Sequence, residues 1–459
     1  MENNITKKLA EGLSAIRFED IPGDVLRNMK RSILENLSAA VASHAGVPYL
    51  AKLDASMRRP SRGECTVFGG KRDCDPARAA FINASCAVAK EFIGGHRFSY
   101  GMPSIAAVPV AFALGESRGA SGKEVLLAAL KGYEAHARTG VATYPMYFRF
   151  HPHGTLGVYG AAGAAASMMG LDAERFYHLL NLVSVLPIFA HRRTTVEGGT
   201  VRNTYPGIAA WHGILALDML EAGICGVEDG IRTCFAETSA EQGVDEHALL
   251  DGLGSRFEVS RNYYKLYGCE RHLHGAMECV YDLREELGWD AVNKDTVDSV
   301  QVHTHKKGAR CMRKDPQNAM AAQWSIPHGV AALLVLGRTE NDLFSEEAVQ
   351  NPEIRALAQR VDVFEDPEYT KLDPVERYTR LTLNLKDGRS FTRTIHQLPG
   401  EFDCPCPDEV VWERLVSKCR WLFGMGGLDA ARTEEAVEKI MHLEELSSIF
   451  ELTDMLQAG

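Results

Sequence analysis

The chain has 459 residues and a mass of 50.5 kDa, of which 45% of residues are hydrophobic and 24% are charged. This length predicts two or three domains, and the composition is that of a folded globular protein rather than a disordered one. Fifty basic residues against 61 acidic residues give a net charge of −11, which argues against a general nucleic-acid binder. No stretch reaches the roughly 18 apolar residues of a membrane span.

The amino-terminal residues and the cysteines bear on location. Residues 1–11 are polar, and no apolar run of a secretory signal follows their two lysines. The eleven cysteines are odd in number and scattered, which is typical of reduced thiols. We therefore expect a cytoplasmic protein. The pair Cys404 and Cys406 has no second pair at zinc-ligand spacing, and we interpret it as structural.

Amphipathic helices are predicted for most of the first 265 residues. Apolar residues recur at three- and four-residue spacing over 26–41, and the pattern returns over 123–139 with Ser121 as N-cap. Two more helices are predicted over 172–186 and 207–221. Glycine and proline turns join these segments, and little of this region has strand character.

Strands are predicted only later in the chain. Residues 297–305 are rich in β-branched side chains, which favours a strand. Apolar and polar residues alternate over 378–395 on either side of Asp387-Gly388, a pattern typical of a hairpin. His303 and His305 share the predicted exposed face of the first strand. The fold class is therefore mainly α with a smaller α+β domain. A helical domain is built from both chain ends, 1–265 and 399–459, and an α+β domain, 266–398, is inserted between them.

A histidine pair opens one glycine-rich segment. His151 and His153 precede a helix predicted over 158–170. Unpaired N–H groups at a helix start favour a bound carboxylate, and two imidazoles there can exchange protons with it. The alternative is that the glycines serve helix packing and the histidines cap the helix.

Three arginines bracket a glycine-containing loop. Arg192, Arg193 and Arg202 flank residues 194–200. A guanidinium group matches the two oxygens of a carboxylate, so this loop is a candidate anion clamp. The alternative interpretation is ordinary surface charge.

Residues 265–275 are the densest run of reactive side chains. The run includes Lys265, Arg271, His272 and His274, and a lysine in apolar surroundings can act as a base. We expect no metal, because the three His-x-His pairs lack carboxylates at a ligand spacing. No Walker loop, dinucleotide fingerprint or nucleophile elbow is present, so no cofactor is predicted.

Several passages together resemble the MmgE/PrpD family, and their order and spacing span nearly the whole chain. The resemblance lies in residues 83–116, 151–157, 202–213, 265–277 and 324–329. It implies a large helical domain, a smaller α+β domain, a homodimer and a cleft between the domains. It also implies cofactor-independent chemistry on a small polycarboxylate substrate.

The resemblance also implies site residues. His151 and Lys265 match the family's active-site histidine and second lysine, while Arg202 aligns with its first lysine. Glu91 begins Glu91-Phe-Ile93-Gly94, where members commonly have Asp-Phe-Asp-Asp. Met102 replaces a histidine, with His96 close by, and Arg310 falls near a tyrosine of the decarboxylases. We expect catalysis from His151, Lys265, Glu91 and His96, and substrate binding by Arg202, Arg192, His153, Arg271, His272 and Arg310.

Three functions remain open at this point. The first is a lyase, either a dehydratase or a decarboxylase, that removes a proton next to a carboxylate of a di- or tricarboxylic acid. The second is an epimerase of a dicarboxylic acid such as iminodisuccinate, which needs an acid and a base on opposite faces of one carbon. The third is a carboxylate-binding protein without catalysis.

Overall fold

The computed structural model describes residues 3–57, 63–337 and 342–458. Helices dominate it: α1 Ile5–Ala15, α2 Gly23–Gly46, α3 Pro48–Met57, α4 Pro76–Ala89, α5 Ser104–Arg118, α6 Gly122–Ala142, α7 Pro152–Thr155, α8 Gly157–Met168, α9 Ala173–Val183, α10 Arg193–Val196, α11 Tyr205–Glu221, α12 Glu237–Ser239, α13 Glu246–Leu250, α14 His274–Leu287, α15 Lys306–Ala309, α16 Ala319–Ala322, α17 Ile326–Leu336, α18 Glu346–Gln350, α19 Pro352–Ala358, α20 Pro367–Leu372, α21 Asp408–Met425, α22 Ala430–Met441 and α23 Phe450–Thr453.

Strands are fewer and shorter: β1 Cys65–Thr66, β2 Arg72–Cys74, β3 Gly95–His96, β4 Asn262–Tyr263, β5 Val297–Thr304, β6 Val361–Glu365, β7 Thr379–Leu385 and β8 Ser390–Ile395. β1 pairs with β2 and β3 with β4, while the other four form one sheet in the order β6-β5-β7-β8. The predicted fold class, mainly α with a smaller α+β part, is confirmed.

The chain divides into two compact units. The first, unit 1, comprises Met1–Arg192, Asn203–Tyr264 and Cys419–Gly459; the second, unit 2, comprises Arg193–Arg202 and Lys265–Lys418. Residues 193–202, Lys265 and residues 399–418, which the predicted domains assign to the helical domain, lie in unit 2. None of the helices in the described ranges is long and apolar enough to cross a membrane.

Close helix packing organises unit 1. The predicted helices are present, and Ser121 caps α6 in a capping box with Glu124. α6 packs along α8, where a Cβ on Gly163 would lie 2.9 Å from both Ala135 Cβ and Gly132 Cα. The glycines therefore let two helices approach closely, which supports the packing interpretation of this segment.

A mixed sheet organises unit 2. β5 is parallel to β6 and antiparallel to β7, and β7 and β8 form the predicted hairpin. In β7, Leu381, Leu383 and Leu385 are buried and join the core of unit 2, as their alternation requires.

The prediction that His303 and His305 are both exposed is wrong, since His303 is half-buried and His305 is buried. β5 ends at Thr304, and His305 is the residue that precedes α15. The strand's alternation therefore stops one residue before it. His305 is buried, and burial lowers its pKa to about 4.

Candidate active-site residues

His151 and His153 lie together at the start of a short helix in unit 1. His151 is the N-cap of α7, and its Nδ1 accepts a long hydrogen bond, 3.4 Å, from the backbone N–H of His153. The two buried rings meet edge to face with centroids 4.5 Å apart, and the ring of Tyr205 lies 5.6 Å from that of His151. Both imidazoles are therefore close enough to act on one small molecule.

Arg192 packs against a neighbouring loop of unit 1. Its guanidinium carbon lies 4.5 Å from the ring centroid of Tyr100 and 4.7 Å from that of Phe148. Tyr100 has φ of 62°, a strained left-handed conformation for an aromatic residue. Such strain persists where the surrounding structure imposes it, often at functional sites. Arg192 and the loop over residues 97–102 therefore form one cluster.

His136 is a residue that the sequence analysis missed. It lies fully buried on α6, and neither ring nitrogen has a hydrogen-bond partner among the residues that the structure describes. Burial lowers its pKa to about 3, so the ring is neutral. A Cβ added to Gly101 would lie 2.9 Å from His136 Nε2 and 3.5 Å from Pro152 Cβ. His136 thus lies where the 97–102 loop meets the start of α7.

His96 is engaged at both ring nitrogens. Nδ1 accepts from the backbone N–H of Ser99 at 3.0 Å, so Nε2 carries the proton that it donates to Glu258 at 2.9 Å. Burial lowers the pKa of His96. Burial also works to raise the pKa of Glu258, but the His96 hydrogen bond and Arg261 and Arg256 hold it at about 2. Both ring nitrogens of His96 are therefore held by hydrogen bonds, to Ser99 and to Glu258, and its catalytic role stays a prediction.

Glu91 follows α4 and is fully buried. Its φ of 58° is left-handed, which is unusual for a glutamate. Gly94 stands where the family pattern has an aspartate, and a Cβ there would lie 1.9 Å from the carbonyl oxygen of Tyr263. No side chain fits at position 94 in this backbone. Glu91 is therefore the carboxylate of that motif that this fold retains.

Lys265 is fully buried in unit 2. Its carbonyl oxygen accepts a hydrogen bond from Nζ of Lys418 at 2.8 Å. Two residues on, the hydroxyl of Tyr267 donates to Glu278 at 2.7 Å, and Arg414 donates two hydrogen bonds to the same carboxylate. The backbone around Lys265 is therefore anchored by charged groups that lie far from it in sequence.

Arg271 and His274 form a second buried group in unit 2. Nε and Nη2 of Arg271 donate to Glu401 at 3.1 and 2.8 Å, and Nη1 donates to Nδ1 of His274 at 2.9 Å. Since arginine only donates, His274 accepts and is neutral. Burial, with Arg271 and Lys265 nearby, lowers the pKa of His274 well below its usual value. Arg271 thus positions His274, and Glu401, 130 residues away, gave no signal in the sequence.

Arg202 belongs to unit 2 and is buried. Its guanidinium carbon lies 4.9 Å from the ring centroid of Trp324, so the surface-charge interpretation is wrong for this arginine. Gln323 precedes Trp324, and its carbonyl oxygen accepts a hydrogen bond from the backbone N–H of Glu270 at 2.9 Å. Arg202 is therefore linked through Trp324 to the segment that carries Arg271. Arg193, in contrast, is exposed and pairs with Glu197.

His272 and Arg310 are more accessible than Lys265. His272 is half-buried, its Nε2 is 3.5 Å from Glu270 Oε1, and its ring meets that of His305 at 4.9 Å between centroids. Arg310 is exposed. Their predicted contact with substrate stays a prediction.

Two family models match successive parts of the chain, with bounds that differ from those of the two units. The model of the MmgE/PrpD N-terminal domain matches residues 7–235, and that of the MmgE/PrpD C-terminal domain matches residues 267–443. Cis-aconitate decarboxylase of Aspergillus terreus is 26% identical over 482 positions, which cover 99% of this chain and 96% of the relative.

Two further relatives differ in how much of the chain they match. Human cis-aconitate decarboxylase is 22% identical over an alignment that covers 100% of this chain and 95% of the relative. The 2-methylcitrate dehydratase of Escherichia coli strain K12 is 24% identical over 298 positions, which are 60% of this chain and 59% of the relative. Similarity to the decarboxylases therefore runs through both units.

Proposed function

Because the chain belongs to the MmgE/PrpD family, we propose that it is a lyase acting on a small di- or tricarboxylic acid. The observation that carries the proposal is the similarity to cis-aconitate decarboxylases over 99% of the chain. It favours decarboxylation of a tricarboxylic acid as the first candidate reaction. The match to a 2-methylcitrate dehydratase over 60% of the chain makes dehydration the second.

Both reactions build negative charge on a carbon next to a carboxylate. In a decarboxylation the bond to one carboxyl group breaks, carbon dioxide leaves, and the electron pair stays on the carbon until an acid protonates it. In a dehydration a base takes the proton from that carbon, and an acid protonates the departing hydroxide. Preorganised cations stabilise the charged intermediate in either case, which is usually the largest catalytic contribution.

The residues divide into groups with different tasks in this proposal. Lys265 and His151 transfer protons, and each such group contributes about 10²- to 10⁴-fold. Arg202 and Arg192 bind carboxylates through paired N–H donors. The remaining proposed substrate contacts are His153, His272 and Arg310, and Glu91 is the proposed catalytic carboxylate. His96 and Arg271 act instead as positioning residues, because their polar atoms bind Glu258, Glu401 and His274.

The test is conversion of defined acids by the purified protein. Cis-aconitate and 2-methylcitrate are incubated in D₂O, and products are identified by NMR together with carbon dioxide release. We expect carbon dioxide from cis-aconitate. A new unsaturated acid from 2-methylcitrate identifies a dehydratase, while a deuterium-labelled isomer identifies an epimerase. Binding of both acids without conversion of either contradicts the lyase proposal.

Comparison of two lysine variants tests the role of Lys265. We expect Lys265→Met to lower kcat by at least about 10²-fold, because the buried amine is removed. The matched control is Lys371→Met, an exposed lysine of the same unit, which keeps wild-type turnover. Circular dichroism checks that both variants are folded. Full activity in Lys265→Met removes this lysine from the mechanism.

A further inference from the structure

Two cysteines of unit 1 face each other across a short hairpin. β1 and β2 pair antiparallel, and the register pairs Cys65 with Cys74 and then shifts by one residue between Cys65 and Thr66. Directly opposed residues of an antiparallel pair have Cβ atoms about 4.5–5.5 Å apart on the same face of the ladder. A disulfide needs Cα atoms about 4.4–6.8 Å apart and Cβ atoms near 4 Å, a range close to that of paired residues in an antiparallel ladder.

Both thiols are reduced and buried in this structure. Cys65 Sγ lies 3.2 Å from the carbonyl oxygen of Ala113, and Cys74 Sγ lies 3.7 Å from Asp73 Oδ1. The remaining nine cysteines lie in none of the described strands. The register thus singles out one thiol pair among eleven cysteines.

The hairpin ties a core helix to the carboxyl-terminal segment. The backbone N–H and Oγ1 of Thr66 donate to Glu116 of α5 at 2.7 and 2.6 Å. Arg72 donates to Thr453 Oγ1 at 3.0 Å, and the N–H of Gly69 donates to the carbonyl of Leu456 at 2.7 Å. A covalent link across the hairpin therefore also holds the carboxyl-terminal segment against α5.

We propose that Cys65 and Cys74 form a reversible disulfide across this hairpin when the protein meets a small-molecule disulfide such as oxidised glutathione. One thiolate attacks a glutathione sulfur, which forms a mixed disulfide and releases one glutathione thiolate. The second cysteine thiolate attacks the protein sulfur of that mixed disulfide, which forms the Cys65–Cys74 bond and releases the second glutathione. The two protons lost by the cysteines end on the two glutathione thiols, so the protein is oxidised and glutathione is reduced.

Burial sets the rate of this step. Burial raises the pKa of both thiols to about 12, so few thiolates exist at neutral pH in the closed hairpin. The exchange therefore proceeds through local opening of β1 and β2, and it is slow. Its rate rises with pH, because the thiolate is the attacking species.

Mass spectrometry tests the link directly. The native protein is incubated with oxidised glutathione, the remaining thiols are alkylated in denaturant, and the chain is digested with trypsin. Cleavage after Lys71 and Arg72 separates the two cysteines, so the disulfide joins peptide 63–71 to peptide 73–78. We expect this linked pair in the oxidised sample, its loss on treatment with dithiothreitol, and its absence in Cys74→Ala.

Two controls make a negative result informative. Cys225 is exposed and should take up glutathione, which shows that the oxidant is active. Cys86→Ala removes a buried thiol of α4 and should leave the linked pair unchanged. If Cys225 is modified while Cys65 and Cys74 both carry the alkyl label, or each carries glutathione without a link, the proposal is overturned.

Hydrogen exchange reports the structural consequence. We expect amide exchange over residues 65–74 and 453–458 to slow by at least about tenfold in the oxidised protein. Unchanged exchange in a fully linked sample contradicts the part of the proposal that concerns the carboxyl-terminal segment. Neither mass spectrometry nor hydrogen exchange depends on the substrate, so the disulfide proposal can fail or hold independently of the lyase function.

Discussion

At the residue scale, some arginines of this protein form buried ion pairs and others form exposed ones. Arg271 and Glu401 are both buried, whereas Arg420 and Glu434 pair on the surface with 45% and 56% of their side chains exposed. Removing one partner of a buried pair leaves a charge without compensation, whereas an exposed partner regains water.

Substitution of these two arginines should therefore have unequal effects. We expect Arg271→Met to lower the free energy of unfolding by about 3–5 kcal/mol, because Glu401 and His274 lose their donor. Arg420→Met should cost about 0–1 kcal/mol. Denaturant unfolding followed by fluorescence measures both. Equal costs for the two variants contradict the assigned role of Arg271.

At the element scale, glycines in helices serve different purposes. Gly163 lets α8 approach α6, but Gly424 in α21 has open space where a Cβ would be. Periodicity predicted the helices themselves, because an apolar face repeats within one element. It did not distinguish these glycines, since the difference depends on which neighbouring helix lies beside them.

Alanine at these two glycines should change stability with opposite signs. Gly163→Ala should destabilise by about 1–3 kcal/mol, because its Cβ overlaps Ala135 and Gly132. Gly424→Ala should stabilise by up to about 1 kcal/mol through lower flexibility of the unfolded chain. Thermal unfolding of the two variants is the measurement, and a shift of the same sign in both refutes the packing argument.

On the scale of the whole molecule, buried neutral histidines make stability depend on pH. Burial lowers the pKa of His136 to about 3 and of His305 and His328 to about 4. These groups take up protons on unfolding below about pH 6.5, so stability falls as the pH drops toward 4. Each adds a slope of up to about 1.4 kcal/mol per pH unit.

Carboxyl groups whose pKa is raised by burial act in the opposite direction, and these are Glu134, Glu116 and Asp282. Burial raises the pKa of Glu134 to about 7, so this group favours the folded state as the pH falls from 7 toward 4.5. Burial lowers the pKa of His96 and His274 as well, so five histidines oppose three carboxyl groups, and we expect a net loss of stability between pH 6.5 and 4.5. Urea unfolding at several pH values measures it.

His305→Gln should flatten the dependence of stability on pH more than the control His303→Gln, because His303 is only half-buried. An equal effect of the two variants would contradict the role given to His305.

By itself, the sequence determined the helices, the Asp387-Gly388 hairpin and the family, because periodicity, turn residues and motif order are local properties of a chain. It also named Lys265 and His151 as candidates. Only the tertiary structure decided that His96 binds Glu258, 162 residues away, and that Arg271 binds Glu401. The protonation and partners of a buried charged group depend on what surrounds it, and that environment forms only when distant segments fold together.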